Sequence, residues 1–182
     1  MYNLYTMSGH NKWSKIKHKK AATDAAKSKI FGKVARLISV ESKKANGDVS
    51  APGLRAAIDK AREVNMPNDN IDRAIAKGTS ADSAVLESVV YEMYGPSGVA
   101  VLIDLLTDNR NRTAAEIRHL LSKIGYELAT PGSAAWAFTK TADGYEANTT
   151  VDITDEDGEK LEKLMEALDE HDDVQDVYTN AA

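Results

Sequence analysis

The chain has 182 residues, no cysteine, 42% hydrophobic residues and a net charge of −5. Its length indicates one or two domains, and its hydrophobic fraction is sufficient for a core. The lack of cysteine excludes a disulfide framework and a thiolate metal site. The longest apolar stretch, residues 99–106, is far too short to cross a bilayer, and residues 1–7 lack the pattern of a secretion signal. We therefore expect a cytoplasmic protein with no membrane partner.

The net charge is unevenly distributed along the chain. Residues 1–78 carry 16 Lys and Arg against 7 Asp and Glu, whereas residues 79–182 carry 7 against 21. An asymmetry of this size predicts two parts with different roles. The basic part is expected to bind a polyanion. The acidic part is expected to stay away from that polyanion or to contact something basic, such as a ribosomal protein.

The strongest candidate site is the basic segment near the N-terminus. Residues 8–36 contain nine Lys and Arg but a single acid, Asp24. Lysines interleaved with an aromatic ring suit a phosphate backbone, because the charges displace counterions and the ring can stack on a base. The alternative is a solvated basic tail without a partner. The candidate contacts before residue 21 are His10, Asn11, Lys12, Trp13, Lys15, Lys17, His18, Lys19 and Lys20. Residues 1–7 are expected to be an extension, with Met7 as an alternative start.

Three helices are predicted after this arm. Apolar residues at helical spacing, namely Ile30, Val34, Leu37 and Ile38, predict the first helix over residues 21–45. Lys29, Lys33 and Arg36 fall on its opposite side and are further candidate phosphate contacts, although such a face is more often only solvated. A second helix is expected after the N-cap Ser50 and a third after the N-cap Asn68.

The hydrophobic period changes from helix to strand after residue 79. Residues 88–94 and 99–106 predict a β-hairpin, and Thr113 with Glu116 predicts a capped helix. Short strands are expected at residues 126–129, 134–138, 149–153 and 174–178, with a last helix that begins after Thr154. Trp136 and Phe138 alternate with alanines and are expected in the core.

These elements predict an α+β fold. We expect a basic mobile arm at residues 1–20, a three-helix bundle at residues 21–78 and a ferredoxin-like antiparallel α/β sandwich domain at residues 79–182.

A second candidate site lies between the hairpin and the helix that follows it. The sequence from Asp108 to Arg112 is DNRNR. Arg110 and Arg112 can reach RNA phosphates at a helix N-terminus. The competing interpretation is local, because Asn and Asp side chains bond to their own turns.

Enzyme motifs are lacking. There is no phosphate loop that ends in Lys-Ser/Thr and no G-x-S-x-G sequence. The four histidines have no ligand spacing, and the acids at residues 155–159 do not match a calcium loop. We therefore expect no catalytic residue, metal, cofactor or small-molecule substrate.

The segment SGHNKWSKIKHKK at residues 8–20 resembles the N-terminal signature of the YebC/PmpR family, whose mitochondrial relative is the translational activator of cytochrome c oxidase. Further similar segments follow in order: NMPNDNI at 65–71, YEMYGP at 91–96, TDNRNRT at 107–113, GSAAWAF at 132–138 and DVQDVYTN at 173–180. Family members usually have a third α/β domain between the Trp-x-Phe segment and the last strand–helix–strand unit. Here only residues 141–147 link the two, so we expect a short form without that domain.

The resemblance implies two functions: DNA-binding transcriptional regulation, and ribosome-associated help for translation through proline-rich stalls. We favour a non-enzymatic translation factor that binds ribosomal RNA and relieves stalling. A mobile arm of Lys, Trp and His suits irregular RNA better than groove readout, which needs a rigid element. The alternative is a transcriptional regulator that binds double-stranded DNA through the same lysines.

Overall fold

The computed structural model describes residues 24–80, 85–141 and 144–182. The predicted arm and its nine candidate contacts lie outside the described residues. The helices are α1 (Asp24–Lys44), α2 (Pro52–Glu63), α3 (Asn68–Thr79), α4 (Arg110–Lys123) and α5 (Asp155–Asp169). The strands are β1 (Glu87–Tyr94), β2 (Ala100–Thr107), β3 (Phe138–Thr141), β4 (Gly144–Ala147) and β5 (Val174–Thr179).

Helices α1, α2 and α3 share one hydrophobic core. The predicted apolar stripes face it, and its buried members include Val34, Ile38, Leu54, Ile58 and Ile71. The predicted caps of α2 and α3 are wrong: the N-cap residues are Ala51 and Pro67, and neither makes a side-chain cap bond. Pro52 in the first turn of α2 presets the backbone angle that a helix requires, whereas Pro67 at the N-cap of α3 has no side-chain acceptor to offer.

Small residues bring α3 close to α1. The hydroxyls of Ser39 and Ser42 on α1 donate hydrogen bonds to the carbonyls of Ala74 and Ile75 on α3, at 2.9 and 2.8 Å. A Cβ atom added to Gly78 would lie only 2.7 Å from the Cβ of Ser42. The two helices therefore pack at a separation that only glycine permits at this position.

The remaining elements confirm the α+β class. Strands β1 and β2 form the predicted antiparallel hairpin, and β5 pairs with β2 to give a sheet of order β1-β2-β5. Helices α4 and α5 pack on this sheet through buried residues such as Ile117, Leu121, Leu164 and Leu168. The strand β2 is buried along its whole length except at Asp104.

The short strands differ from the prediction. Of the expected strands, residues 126–129 give only a single bridge between Leu128 and Met93, and residues 149–153 only one between Val151 and Ala181. Residues Ala135–Ala137 form a 3₁₀ turn. Strands β3 and β4 form a separate hairpin where the sequence indicated a plain link, so the strands divide into two sheets.

The start of α4 also differs. The helix begins at Arg110, because the side chain of Asn109 accepts a hydrogen bond from the backbone N–H of Arg112 at 3.1 Å. The predicted cap, Thr113, is instead buried within the first turn and bonds to Thr107 and Asp173. The predicted cap of α5 is confirmed, since Thr154 accepts from the N–H of Asp157.

Candidate nucleic-acid interface

A cleft of about 810 Å³ opens between helices α1 and α3 on one side and the beginnings of β1, α4 and β5 on the other. We call it the basic cleft, because its lining contains more cationic than acidic side chains. The cations are Arg36, Lys43, Lys44, Arg73, Lys77 and Arg112, and the acids are Asp108 and Asp173. A concave surface with a cationic excess raises the local concentration of phosphate chains.

Helical periodicity places these cations along the two walls. Arg36 and Lys43 are seven residues apart on α1, so they lie two turns apart on one face. Arg73 and Lys77 are four residues apart on α3 and share a face in the same way. Arg73 is held locally, since its Nε donates to the carbonyl of Asp69 at 3.1 Å and its Nη2 donates to the side chain of Asn70.

An ion-pair network closes one end of the cleft around the buried carboxylate of Asp173. One carboxylate oxygen accepts from Nη1 of Arg36 at 2.9 Å. The other accepts from Nη2 of Arg112 and from the hydroxyl of Thr113, each at 2.7 Å. Arg36 also donates to the carbonyl of Asp172 at 2.8 Å. The network thus joins α1, α4 and the beginning of β5.

The network shifts the protonation of its members. Burial, the largest single influence, opposes the charge on Asp173, but the hydrogen bonds from Thr113 and Arg112 and the charge of Arg112 hold its pKa below the ordinary value. The hydrogen bond to Asp173, together with the charge of that carboxylate, raises the pKa of Arg112. Both groups are therefore charged at neutral pH.

Lys33 is not on a solvated face as the helical step predicted. It is 9% exposed, and its Nζ donates to the carboxylate and the carbonyl of Asp169 at 2.7 and 2.9 Å. The end of α5 packs against α1, so this side of α1 is an internal interface. Arg36 is half-buried in the same interface, and Lys29 is also half-buried. The expectation that these three residues contact nucleic acid stays a prediction.

The two arginines of the DNRNR segment have different surroundings. Arg110 is exposed, with its Nε 3.8 Å from Glu87. Arg112 lines the basic cleft and, besides Asp173, pairs with Asp108 at 3.1 Å and Glu116 at 3.7 Å. Asn109 follows the local interpretation, because its side chain caps α4.

Sequence reasoning missed Arg73 and Lys77 as candidate contacts; it placed Lys43 and Lys44 on the polar face of the first helix but did not select them as site residues. The spacing of Arg73 and Lys77 on a predicted helix was a usable signal. The sequence does not reveal which face of α3 lines a cleft, because that depends on how the helices pack against β5 and α4.

One group of potential metal ligands occurs among the described residues. Glu116, His171 and Asp173 place ligand atoms within 4.8 Å of one another, although the histidine spacing in the sequence gave no such signal. His171 Nε2 lies 3.1 Å from Glu116, while Arg36, Arg112 and Thr113 occupy the Asp173 carboxylate. We therefore assign the trio to the ion-pair network.

None of the helices in the described ranges has the length and apolarity needed to span a bilayer.

The fold and the basic cleft define the class: an α+β protein with a concave surface rich in cations. Comparison with known sequences then gives the family. Residues 11–81 match the family described as TACO1/YebC protein N-terminal domain, and residues 86–143 and 140–181 match TACO1/YebC second and third domain. The chain therefore belongs to the TACO1/YebC family, as the sequence resemblance predicted.

Relatives support this assignment. A "probable transcriptional regulatory protein" of Trichlorobacter lovleyi is 49% identical over 175 residues, which cover 95% of this chain and 70% of the relative. A protein of the same name from Fervidobacterium nodosum is 39% identical over 235 aligned positions, which cover 96% and 93%. Because 235 positions exceed the 182 residues here, that relative has an internal segment that this short form lacks.

A solved structure has the same fold. The crystal structure of a conserved hypothetical protein from Aquifex aeolicus superposes with a TM-score of 0.81 at 31% identity, covering 93% of this chain and 96% of that chain.

Proposed function

We propose that this chain is a non-enzymatic, cytoplasmic, nucleic-acid-binding regulator of gene expression. The observation that carries the proposal is the basic cleft, where six cations from three helices face one concavity with two acids. The five lysines among the nine candidate residues of the N-terminal arm add to this charge. Lys and Arg side chains that neutralise phosphates provide sequence-independent affinity. The name of the relatives, probable transcriptional regulatory protein, supports a regulatory role for this chain.

Within this class we favour ribosomal RNA as the target and relief of ribosome stalling as the role. The cations of the cleft come from separate helices around a concavity and not from one projecting helix. Such a surface suits the irregular shape of folded RNA better than the regular major groove of DNA, which takes a single inserted element. The acidic surface of the part from residue 79 onward, outside the cleft lining, would then stay off the RNA or face a basic ribosomal protein.

The second candidate is transcriptional regulation through double-stranded DNA. The specific observation in its favour is the name given to the relatives from Trichlorobacter lovleyi and Fervidobacterium nodosum. The same arm lysines and cleft cations would contact the DNA backbone. Sequence selectivity would then require contacts to base edges or to DNA shape.

Binding measurements with two probes separate the candidates. The full chain is titrated into labelled DNA duplexes of varied sequence and into purified ribosomal subunits at the same salt concentration. We expect association with subunits and only weak, sequence-independent binding to duplex, in the micromolar range or weaker. A DNA affinity for one sequence about 1,000-fold above the others would favour the transcriptional role. Crosslinks from the cosedimented complex would then map the contact on ribosomal RNA.

A separate assay tests the non-enzymatic part of the proposal. The chain is incubated with nucleoside triphosphates, RNA and DNA, and product formation is followed over time. We expect no turnover above the buffer control. Turnover that is lost on replacing a single Asp or Glu would contradict the proposal.

A further inference from the structure

The one tryptophan among the described residues is exposed and hydrogen-bonded at one edge. Trp136 was expected in the core, but it is 62% exposed. Its Nε1 donates to the hydroxyl of Tyr94 at 3.4 Å, and that hydroxyl in turn donates to the carbonyl of Ser133. The carbonyl of Trp136 accepts from the side chain of Asn148 at 3.4 Å. One edge of the indole and the backbone beneath it are thus fixed, while most of the ring surface is open to solvent.

A carboxylate of β1 fixes the loop that carries this ring. Glu92 is only 9% exposed and accepts hydrogen bonds from the backbone N–H groups of Gly132, Ala134 and Ala135, at 2.6, 2.7 and 2.8 Å. Burial, the largest influence, opposes its charge, yet these three bonds keep the pKa of Glu92 below its ordinary value. A charged group bonded to three backbone donors holds a loop in one conformation.

The geometry of the loop explains why the ring faces outward. Ala135–Ala137 form a 3₁₀ turn with about three residues per turn, so residues 134 and 137 share a face. Ala134 and Ala137 are fully buried against β2, and Phe138 begins β3 with its side chain inward. Trp136 therefore points away from the sheet. The turn thus leaves the face of a large aromatic ring open to a ligand, with its polar edge already bonded to the protein.

The surroundings of the ring favour a flat ligand with polar edges. Tyr94 is 39% exposed beside it, while the other strongly exposed large hydrophobics among the described residues, Val49, Val85 and Ile124, lie on other elements. The polar side chains of Thr139 and Asn148 are bonded to each other next to the turn. A stable protein interface needs a broad apolar centre. A single indole flanked by hydroxyl and amide groups fits an unpaired nucleobase, which stacks on aromatic faces and presents hydrogen-bonding edges.

The separation between the ring and the basic cleft is one that a single RNA strand can span. Leu86 lines the cleft and precedes β1, whereas Tyr94 ends β1 beside Trp136. At about 3.3 Å per residue the two ends are roughly 26 Å apart. A single strand stacked at about 3.4 Å per nucleotide covers this separation with roughly eight nucleotides.

We propose that Trp136, held by Tyr94 and the Glu92-bonded loop, is a stacking site for an unpaired base of single-stranded RNA. The inference rests on the proposed nucleic-acid-binding function and adds a ligand class to it: RNA whose backbone occupies the basic cleft and whose unpaired base lies on the indole.

The test uses the full chain with Trp13→Phe, which leaves Trp136 as the only tryptophan. Its fluorescence is titrated with an unstructured 12-nucleotide RNA and with an RNA duplex of equal length. We expect quenching by the single strand and none by the duplex. Affinity is measured separately by anisotropy of labelled RNA for the unaltered chain, for the Trp13→Phe chain, and for otherwise unaltered chains that carry Trp136→Ala or Trp136→Phe.

Removing a base stack of about 1–3 kcal/mol lowers affinity about 5- to 150-fold. We expect this loss for Trp136→Ala, with an unchanged salt dependence because no charge is removed, and near-complete retention for Trp136→Phe. Circular dichroism and the Tm check that each variant is folded.

Three results would overturn the inference. Normal RNA binding without quenching and without loss in Trp136→Ala would leave the cleft function intact but exclude the base site. A change in Trp136 emission with protein concentration in the absence of RNA would identify a contact between copies of the chain. No RNA binding at all by the unaltered chain would reject the proposed function and the stacking site together.

Discussion

At the scale of single residues, Asp173 links α1 and α4 to the beginning of β5. Its buried carboxylate is bonded to Arg36 on α1 and to Arg112 and Thr113 on α4, while its own backbone leads into β5. A buried carboxylate with two arginine partners stabilises a structure only while all partners are present, because an unpaired buried charge is costly.

We predict that Asp173→Asn lowers the free energy of unfolding by about 1–3 kcal/mol at pH 7, since Arg36 and Arg112 lose the buried carboxylate that they share. The folded-state pKa of Asp173 lies below the ordinary value of 3.8. The carboxylate therefore contributes fully above that value, and the contribution is lost as pH falls through the folded-state pKa. Urea unfolding of both proteins at pH 7 and in progressively stronger acid checks this. A difference in stability that stays constant with pH would contradict the assignment.

A second prediction compares two aromatic residues that the sequence pattern placed together in the core. Phe138 is buried, so Phe138→Ala is expected to cost about 3–5 kcal/mol of stability. Trp136 is exposed, so Trp136→Ala is expected to change stability by no more than about 0.5 kcal/mol. Thermal unfolding of the two variants measures this, and a large loss for Trp136→Ala would show that the ring is packed.

At the scale of elements, the close packing of α1 and α3 depends on Gly78. A side chain there would overlap the carbonyl of Ser39 and the side chain of Ser42. Gly32, on α1, provides a matched control, because an added Cβ would meet nothing within 4 Å. Both glycines lie within helices, so the same substitution separates packing from helix propensity.

We predict opposite signs for the two alanine variants. Gly78→Ala is expected to destabilise the chain by about 1–3 kcal/mol, because two helices must move apart. Gly32→Ala is expected to stabilise it by about 0.5–1 kcal/mol through helix propensity. Chemical unfolding of the pair measures both values. Equal effects would mean that α3 does not approach α1 at Gly78.

Elements with a strong hydrophobic period were predictable from sequence, and short polar ones were not. The stripe of α5 and the β1–β2 hairpin were predicted because their buried residues recur at helix or strand spacing. The strands β3 and β4, with sequences FTKT and GYEA, carry no such alternation. The sequence around Ala135–Ala137 has the alternation of a strand, because alanines alternate with Trp136 and Phe138. The backbone nevertheless forms a 3₁₀ turn with about three residues per turn.

At the scale of the whole molecule, the candidate site is shared between the two differently charged parts of the chain. The charge division is evident from the sequence, which also predicts the arm and selects Arg36 and Arg112 as candidate contacts. The cleft itself could not, because it exists only where α1 and α3 face the beginnings of α4 and β5. The surroundings of Lys33 could not be predicted for the same reason. It was placed on a solvent-facing side of α1, but it pairs with Asp169 at the end of α5.

The contribution of the cleft can be separated from that of the arm. We predict that Arg73→Gln with Lys77→Gln reduces the slope of log K against log salt for RNA binding by about 1.4. The matched control is Arg118→Gln with Lys163→Gln, which removes the same charge from exposed positions on α4 and α5 outside the cleft lining. The control slope should equal that of the unaltered chain. Equal slopes for both double variants would exclude the cleft as the contact.

The most direct test of the central claim is the same salt titration on the arm variant in which Lys15, Lys17, Lys19 and Lys20 are replaced by Ala. A polyanion-binding arm predicts that the slope decreases by about 3, because each single-strand phosphate that a lysine neutralises adds about 0.7 to the slope. An unchanged slope and unchanged association with RNA and ribosomal subunits would contradict the claim that this chain binds nucleic acid through its basic N-terminal segment.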